Sequence, residues 1–340
     1  MSERTRFGKT SKGEEIDALR IFDAKGNSAV IIEYGASVQS LVIRGPEGPV
    51  DVVLGYDSVE AYENGTSYMG ATLGRVTNRI GNASFRVDGT EYRVTANENG
   101  NCLHSGNRGT HFVKWDGSLE GETAVFRYHS PDGEEGFPGN MDTEVRFCLV
   151  NGALHVRYTA RVDRPCPVNI TNHTYFNLAG KGTILEHELR LDADRILEAG
   201  PGSIPTGRYL DVTGTPFDFR TAKPIGRDIT ADDPQLIAAG GYDHNFCLNG
   251  SGFRAAAELI CRASGLGMRV MTDMPGAQIY TGNYIPEEKG KCGAVYGKNT
   301  GVAVETQFYP DTPNKPEFGD ITLRPGEEFS SETVFAFYAL

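Results

Sequence analysis

Two histidines and one glutamate stand in sequence surroundings that suit acid–base chemistry. Glu305 lies within the mostly apolar run 302–308, while His173 lies in the alternating segment 169–178 and His104 in the loop 97–106. A carboxylate among Val, Ala and Phe is costly to bury, so Glu305 is predicted to be paired, exposed or tuned to a raised pKa. A lone histidine in a strand is more often structural than catalytic. Together, however, these three groups suit proton transfer to and from a small substrate.

The polar residues around these groups suit a neutral ligand with many hydroxyls. If segment 169–178 is a strand, one face carries only hydrogen-bonding side chains, namely Thr171, His173, Tyr175 and Asn177. Asn78-Arg79 and Asp243 add donors and acceptors elsewhere in the chain. Sugar hydroxyls need donors and acceptors together, with aromatic faces against the ring C–H groups. A Gly-rich phosphate cradle of the P-loop or dinucleotide type is missing, and no cofactor is expected.

The same three residues have the ligand types of a two-histidine, one-carboxylate metal site. Such a site requires His104, His173 and Glu305 to converge on one ion, and their spacing is not that of a known metal motif. We therefore expect no metal, although the sequence alone leaves this alternative open.

The net charge and the cysteine content indicate which partners this protein can bind and in which compartment it works. The chain carries 33 Lys+Arg and 45 Asp+Glu, a formal net charge of −12, which disfavours nucleic acid and anionic lipid. No segment approaches the length of an apolar membrane span, and the first residues lack the apolar stretch of a secretory signal. The six cysteines form no CxxC pair. We expect a cytoplasmic protein with reduced thiols.

Short strands are expected to position the candidate residues, because glycine and proline recur throughout the chain and interrupt helices. The sequence holds 42 Gly and 17 Pro, which leaves little room for long helices. Asp88-Gly89 and Asn151-Gly152 each separate two alternating runs, the strongest short hairpin signal. Helix signals are limited to 57–63 and to the capped segment after Asp233. We predict an all-β protein, with residues 1–340 forming a single domain.

Six segments in order resemble the galactose mutarotase (aldose 1-epimerase) family: GRVTNRIG, NCLHSG, NHTYFNL, GYDHNF, QIYTGN and VAVETQFYPDTPN. The resemblance extends over essentially the whole chain, and NHTYFNL and ETQFYPDTPN are its specific parts. It implies a large antiparallel β-sandwich, the supersandwich of this family, with a few short helices. It also implies interconversion of the α and β anomers of free aldohexoses such as galactose and glucose, and favours a monomer over a dimer.

By this resemblance Glu305 is the base that takes the proton of the anomeric hydroxyl, and His173 is the acid that protonates the ring oxygen. The resemblance assigns sugar binding to six further residues: Asn78, Arg79, His104, Tyr175, Asp243 and Gln278. Ser105 stands where the family commonly has a second glycine, which places the conformation of the His104 loop in question.

Three alternatives remain open from the sequence. The same fold could act on a pentose or on a hexose 6-phosphate, although Arg79 is the one clear cation among the candidate site residues. Glu305 and Asp243 could be the two carboxylates of a glycosidase, a mechanism that leaves His173 without an acid role. A non-catalytic sugar-binding protein would have no use for both His173 and Glu305.

Overall fold

The computed structural model describes residues 2–340, in which three antiparallel sheets hold most of the strands. Strands are numbered along the chain. The first sheet is a five-stranded meander formed by β1 (Glu3–Lys9), β2 (Glu15–Phe22), β3 (Ser28–Ile32), β4 (Ser37–Gly45) and β5 (Gly48–Asp51). Successive strands are neighbours throughout this sheet, as short hairpin connections dictate.

The second sheet has nine strands and forms one wall of the core. In order across the sheet they are β11 (Asp116–Glu120), β12 (Thr123–Ser130), β13 (Met141–Val150), β14 (Ala153–Val162), β30 (Phe329–Ala339), β24 (Leu266–Thr272), β23 (Arg254–Cys261), β18 (Glu188–Leu191) and β21 (Lys223–Pro224). β13 and β14 alternate regularly between buried and more exposed residues, which is typical of a sheet with one face on the core. β30 pairs with both β14 and β24, so the last strand lies inside the sheet.

The third sheet has six strands and carries the candidate residues. In order they are β17 (Tyr175–Phe176), β28 (Val302–Gln307), β25 (Gly276–Tyr280), β22 (Asp243–Leu248), β19 (Ala193–Ala199) and β20 (Pro205–Asp211). One face contributes Phe246, Ile279 and Val304 to the hydrophobic core. The rings of Phe176 and Phe335 lie 4.7 Å apart and join this sheet to β30. Because side chains alternate along a strand, the opposite face is free to carry polar residues.

Ten short strands form five further pairs: β6 (Thr72–Leu73) with β16 (Thr171–Asn172), β7 (Arg79–Ile80) with β10 (Cys102–Leu103), β8 (Ser84–Val87) with β9 (Thr90–Arg93), β15 (Cys166–Pro167) with β29 (Thr322–Leu323), and β26 (Glu288–Lys289) with β27 (Val295–Tyr296). Two of these pairs bring candidate site segments together. β7 holds Arg79 beside the loop of His104, and β16 ends one residue before His173.

Helices are few and short, as predicted. α1 (Val59–Asn64) is capped by the Ser58 side chain, and α2 (Pro234–Ala239) begins at an Asp233 cap and ends at Gly240 in the left-handed region. Eight 3₁₀ turns complete the helical segments: Gly81–Ala83, Thr110–Phe112, Glu134–Gly136, Pro201–Ser203, Ile225–Arg227, Lys291–Gly293, Thr312–Asn314 and Pro316–Phe318. The predicted hairpins are present, since Asp88-Gly89 joins β8 to β9 and Asn151-Gly152 joins β13 to β14. The all-β prediction is confirmed.

Candidate active site

Strand pairing in the six-stranded sheet places three candidate residues on one face. Gln278 of β25 lies directly opposite Glu305 of β28, and Asp243 of β22 lies opposite Tyr280 of β25. Gln278 Nε2 donates a hydrogen bond of 2.7 Å to Asp243 Oδ1. Glu305 is 2% exposed, and its Oε2 has no partner among the described residues. The sheet therefore offers an unpaired buried carboxylate next to an oriented one.

His173 reaches Glu305 from the segment between β16 and β17. Its Nε2 lies 3.7 Å from Glu305 Oε1, and both side chains are buried. Burial lowers the pKa of His173 to about 4. Burial, and then the negative charge of Asp243, raise the pKa of Glu305 well above its ordinary value. Both shifts disfavour the charged forms, so burial favours the neutral pair, with the proton on Glu305, over the ion pair.

The His104 loop is held in a conformation that fixes the histidine tautomer. The backbone N–H of Asn78 donates to His104 Nδ1 at 3.0 Å, which places the ring proton of the neutral imidazole on Nε2. His104 and Ser105 both have positive φ, at 51° and 66°. Ser105 Oγ donates to Val76 O at 3.0 Å and accepts from Val76 N at 2.8 Å. Serine is thus accommodated where a glycine was expected, because its hydroxyl ties the strained loop to the neighbouring segment.

Arg79 enters the site as half of an ion pair. Its Nε and Nη2 donate to the two carboxylate oxygens of Glu98 at 2.6 and 2.8 Å. The Arg79 side chain is 13% exposed and that of Glu98 is 27% exposed. Asn78 Oδ1 accepts from the Arg79 backbone N–H, which gives that side chain a local role as well.

Tyrosines surround the two histidines. The ring of Tyr68 lies 4.8 Å from that of His104 and 5.9 Å from that of His173, while the Tyr175 ring lies 4.8 Å from His173. Tyr280 packs at 6.2 Å from His173. Burial raises the pKa of Tyr175 well above 10, so its hydroxyl keeps its proton. Aromatic faces and hydroxyls therefore line the same space.

These side chains enclose a cavity of about 380 Å³. Seven of the eight predicted site residues line it, namely Asn78, Arg79, His104, His173, Tyr175, Asp243 and Glu305. Gln278 is the exception: it lies beneath the lining and orients Asp243 through its hydrogen bond. A cavity of this size with convergent polar groups suits a small molecule.

The prediction that segment 169–178 is a strand with one polar face is wrong in part. The segment is not one strand, because the Asn172 side chain accepts from the Thr174 backbone N–H at 3.0 Å and turns the chain between β16 and β17. His173 and Tyr175 line the cavity, but Thr171 and Asn177 do not. Asn177 Nδ2 instead donates to the backbone carbonyls of Gly182 and Thr300.

Several lining residues were not singled out from the sequence: Tyr68, Glu98, Asn99, Tyr280 and Tyr284. Glu98 and Asn99 fall inside the polar loop that carries His104, and Tyr280 falls inside the QIYTGN segment. These three had a local signal. Tyr68 had none, because its place beside both histidines depends on the fold and on a positive φ of 53°.

The metal alternative can be tested against the histidine tautomer. Ligand atoms of His104, His173 and Glu305 all lie within 4.8 Å of one another. Ligation requires an imidazole lone pair aimed at the ion, but the lone pair of His104 Nδ1 already accepts from Asn78 and Nε2 carries the proton. The set therefore fits a hydrogen-bond donor and an acid–base pair better than it fits a metal.

Known proteins resemble this chain over most of its length. Residues 17–336 match the family model for aldose 1-epimerase. Galactose mutarotase from Homo sapiens is 42% identical over 312 residues, which cover 90% of each chain. Aldose 1-epimerase from Escherichia coli (strain K12) is 36% identical over 335 residues, covering 96% of each chain. The crystal structure of galactose 1-epimerase from Lactobacillus acidophilus NCFM superposes with a TM-score of 0.88 at 28% identity, covering 100% of this chain and 99% of that one.

Two further observations bear on the remaining expectations. Among residues 2–340, no helix is long and apolar enough to cross a membrane. The relatives named above are epimerases and mutarotases, and none carries the name of a glycoside hydrolase. The family model, the relatives and the fold agree with the sequence resemblance: this chain belongs to the aldose 1-epimerase family.

Proposed function

We propose that this aldose 1-epimerase uses Glu305 and His173 as the acid–base pair that opens and recloses the ring of a free aldohexose. Glu305 removes the proton from the hydroxyl on C1 while His173 protonates the ring oxygen O5, and the C1–O5 bond breaks. The open-chain aldehyde then rotates about its C1–C2 bond. On closure O5 attacks the other face of C1, His173 takes back its proton, and Glu305 returns a proton to O1. No electrons leave the sugar, so the reaction requires no redox partner.

The distance of 3.7 Å between His173 Nε2 and Glu305 Oε1 carries this proposal. Both groups line one cavity. The two atoms are close enough together to act on O1 and O5, the neighbouring oxygens of a single sugar ring. Positioned proton transfer of this kind contributes about 10²- to 10⁴-fold to a rate.

The protonation of His173 and Glu305 supports the roles assigned to them. Burial by itself favours neutral His173 and protonated Glu305. A bound sugar changes that preference, because its C1 hydroxyl donates to a carboxylate and its ring oxygen accepts from an N–H. Arg79 also lowers the pKa of Glu305. We propose that substrate binding moves the shared proton to His173 and leaves Glu305 ready as the base.

The remaining predicted residues hold the sugar. We assign Arg79, Asp243 and Tyr175 to its hydroxyls, with the Nε2–H of His104 directed at an oxygen near the ring. Asn78 contributes its side chain and orients His104 through its backbone N–H. Gln278 acts through Asp243.

We propose a neutral hexose as the substrate, with galactose first. The relatives from Homo sapiens and Lactobacillus acidophilus are named for galactose, and in the cavity Glu98 offsets the charge of Arg79, which disfavours a phosphate. Polarimetry of freshly dissolved α-galactose, with glucose, xylose, arabinose and glucose 6-phosphate beside it, tests this assignment. Faster enzyme-dependent anomerisation of glucose 6-phosphate or of a pentose than of galactose and glucose would overturn it.

Three further expectations stay predictions. One hydrophobic cluster contains residues from Leu19 to Phe337, which supports one domain across the chain. The monomeric state and the cytoplasmic location remain predictions from the sequence.

A further inference from the structure

Glu98 is the one charged side chain in the cavity wall that the mechanism leaves without a role. It holds both Nε and Nη2 of Arg79, at 2.6 and 2.8 Å, in a two-point contact. Such a contact fixes the plane of the guanidinium as well as its position. The third nitrogen, Nη1, makes no hydrogen bond to the described residues and remains available for a ligand.

Hydrogen bonds hold the backbone around Glu98 and so fix the point from which its side chain extends. The Glu98 N–H donates to Asn101 O at 3.1 Å, and the Asn101 N–H donates to Glu98 O at 2.8 Å. Asn101 Oδ1 in turn accepts from the backbone N–H of Asn82, which ties the loop to the turn after β7. A long Arg side chain without such an anchor would sample several rotamers.

The charges around the cavity give Glu98 a second consequence. Arg79 is the one Lys or Arg side chain in the lining within residues 2–340, and three carboxylates line the same space: Glu98, Asp243 and Glu305. Even when Glu305 carries a proton, two negative charges face one positive charge, a net charge of 1 − 2 = −1. Burial lowers the pKa of His104 and of His173, so neither histidine supplies a positive charge at neutral pH. An anionic sugar therefore meets repulsion in a partly desolvated site.

We propose that Glu98 is a positioning residue for Arg79 and that its charge makes the site reject anionic aldoses such as uronic acids. This inference rests on the proposed sugar-binding role of Arg79. Without Glu98, the guanidinium would be mobile and its charge uncompensated, so neutral sugars would bind less well and carboxylated sugars better. An ion pair that serves stability alone would leave sugar selectivity unchanged.

The test compares galactose with galacturonate, which replaces the C6 hydroxymethyl group with a carboxylate. Polarimetry gives kcat and KM for both sugars with the parent enzyme, Glu98→Gln and Glu98→Asp. Gln keeps the shape and one acceptor but removes the charge, while Asp keeps the charge but shortens the reach to Arg79. Glu91→Gln is the matched control, because Glu91 pairs with the exposed Arg86 outside the cavity.

For Glu98→Gln we expect KM for galactose to rise about fivefold with kcat changed less than twofold. The preference for galactose over galacturonate in kcat/KM should fall about tenfold. Added salt should reduce this preference in the parent, because screening weakens the repulsion, and should have little effect in Glu98→Gln. Glu98→Asp should weaken galactose binding but keep the preference. The Glu91→Gln control should match the parent.

The inference is overturned if Glu98→Gln keeps the parent preference, or if Glu98→Asp loses it as fully as Glu98→Gln. Failure of the parent to accelerate galactose anomerisation would contradict the proposed function instead. Thermal unfolding of each variant separates misfolding from altered selectivity, and Glu98→Asp remains informative if Glu98→Gln does not fold.

Discussion

The backbone N–H of Asn78 donates to Nδ1 of His104, so the imidazole presents an N–H, and not a lone pair, to the cavity. This relationship joins a turn before β7 to a loop before the 3₁₀ turn at Thr110–Phe112. It makes His104 a donor at neutral pH without a positive charge, because burial lowers the pKa of this histidine well below 6.5. The role of a fixed donor can be separated experimentally from that of a titrating acid.

A glutamine at position 104 should keep much of the function of the histidine. The amide N–H of Gln reaches about as far as imidazole Nε2 and donates in the same way, whereas Leu fills the space without a donor. We expect kcat/KM for galactose to fall less than fivefold in His104→Gln and about 5- to 150-fold in His104→Leu, since an unpaired sugar oxygen in a buried site costs about 1–3 kcal/mol. Polarimetry at several sugar concentrations measures this. Equal losses in the two variants would show that donation by His104 is not required.

Glu305→Gln and His173→Asn should each abolish nearly all acceleration while sugar binding largely survives. Each change removes a proton-transfer group but keeps a polar side chain, so we expect a loss of about 100-fold or more in kcat. Polarimetry measures the rate, and titration calorimetry measures galactose binding.

The matched control for this pair is a second His–Glu contact on the nine-stranded sheet. His155 Nδ1 lies 3.1 Å from Glu332 Oε1, and both side chains are well exposed. His155→Asn and Glu332→Gln should anomerise galactose at the parent rate. If the variants at positions 173 and 305 also do so, the catalytic pair is misassigned.

Asp243→Asn should shift the alkaline limb of the pH–rate profile to lower pH. The charge of Asp243 raises the pKa of Glu305, so its removal lets the shared proton leave at lower pH. KM for galactose should rise as well, because Asp243 is proposed to hold the sugar. The pH dependence of kcat measures the limb, with Asp142→Asn on the exposed face of β13 as the control. An unmoved limb would show that Asp243 does not act on the catalytic pair.

The protein should lose stability steeply as the pH falls below about 6.5. Burial lowers the pKa of five histidines in the folded state, namely His104, His111, His173, His187 and His244. The unfolded chain binds protons on these histidines near pH 6.5 and the folded chain does not. Their contribution to the free energy of unfolding is therefore fully present above about pH 6.5 and falls as the pH decreases. Each histidine costs about 1.4 kcal/mol per pH unit in that window. The raised pKa of Glu305 opposes this by one proton.

Urea unfolding between pH 7.5 and 5 measures this slope. His187 lies outside the cavity, and its Nε2 accepts from the Leu178 backbone N–H, so His187→Gln preserves an acceptor but removes a titrating group. The slope of the unfolding free energy against pH should fall in this variant by about 1.4 kcal/mol per pH unit, the share of one proton. A stability that does not change between pH 7 and 5 would contradict the prediction.

The fold class and seven of the residues that line the cavity could be predicted, because local chemistry decides them. Asp88-Gly89 specifies a hairpin on its own, and Glu305 in an apolar strand indicates a tuned carboxylate. The broken strand at Asn172 could not be predicted from alternation, since a side-chain turn redirects the chain there. The place of Tyr68 beside His104 depends on contacts between distant segments, which a single sequence does not reveal.

The position of β30 has a consequence for the order of events during synthesis. This strand follows both β14 and β24 along the chain, and it lies between them in the middle of the nine-stranded sheet. Until residues 329–339 leave the ribosome, β14 and β24 each expose an unpaired strand edge. Phe335 is also not yet available to pack against Phe176 in β17, an edge strand of the six-stranded sheet. The nascent chain can therefore aggregate through these exposed strand edges until β30 is made. A premature stop shortly before Phe329 should yield an insoluble product with no activity.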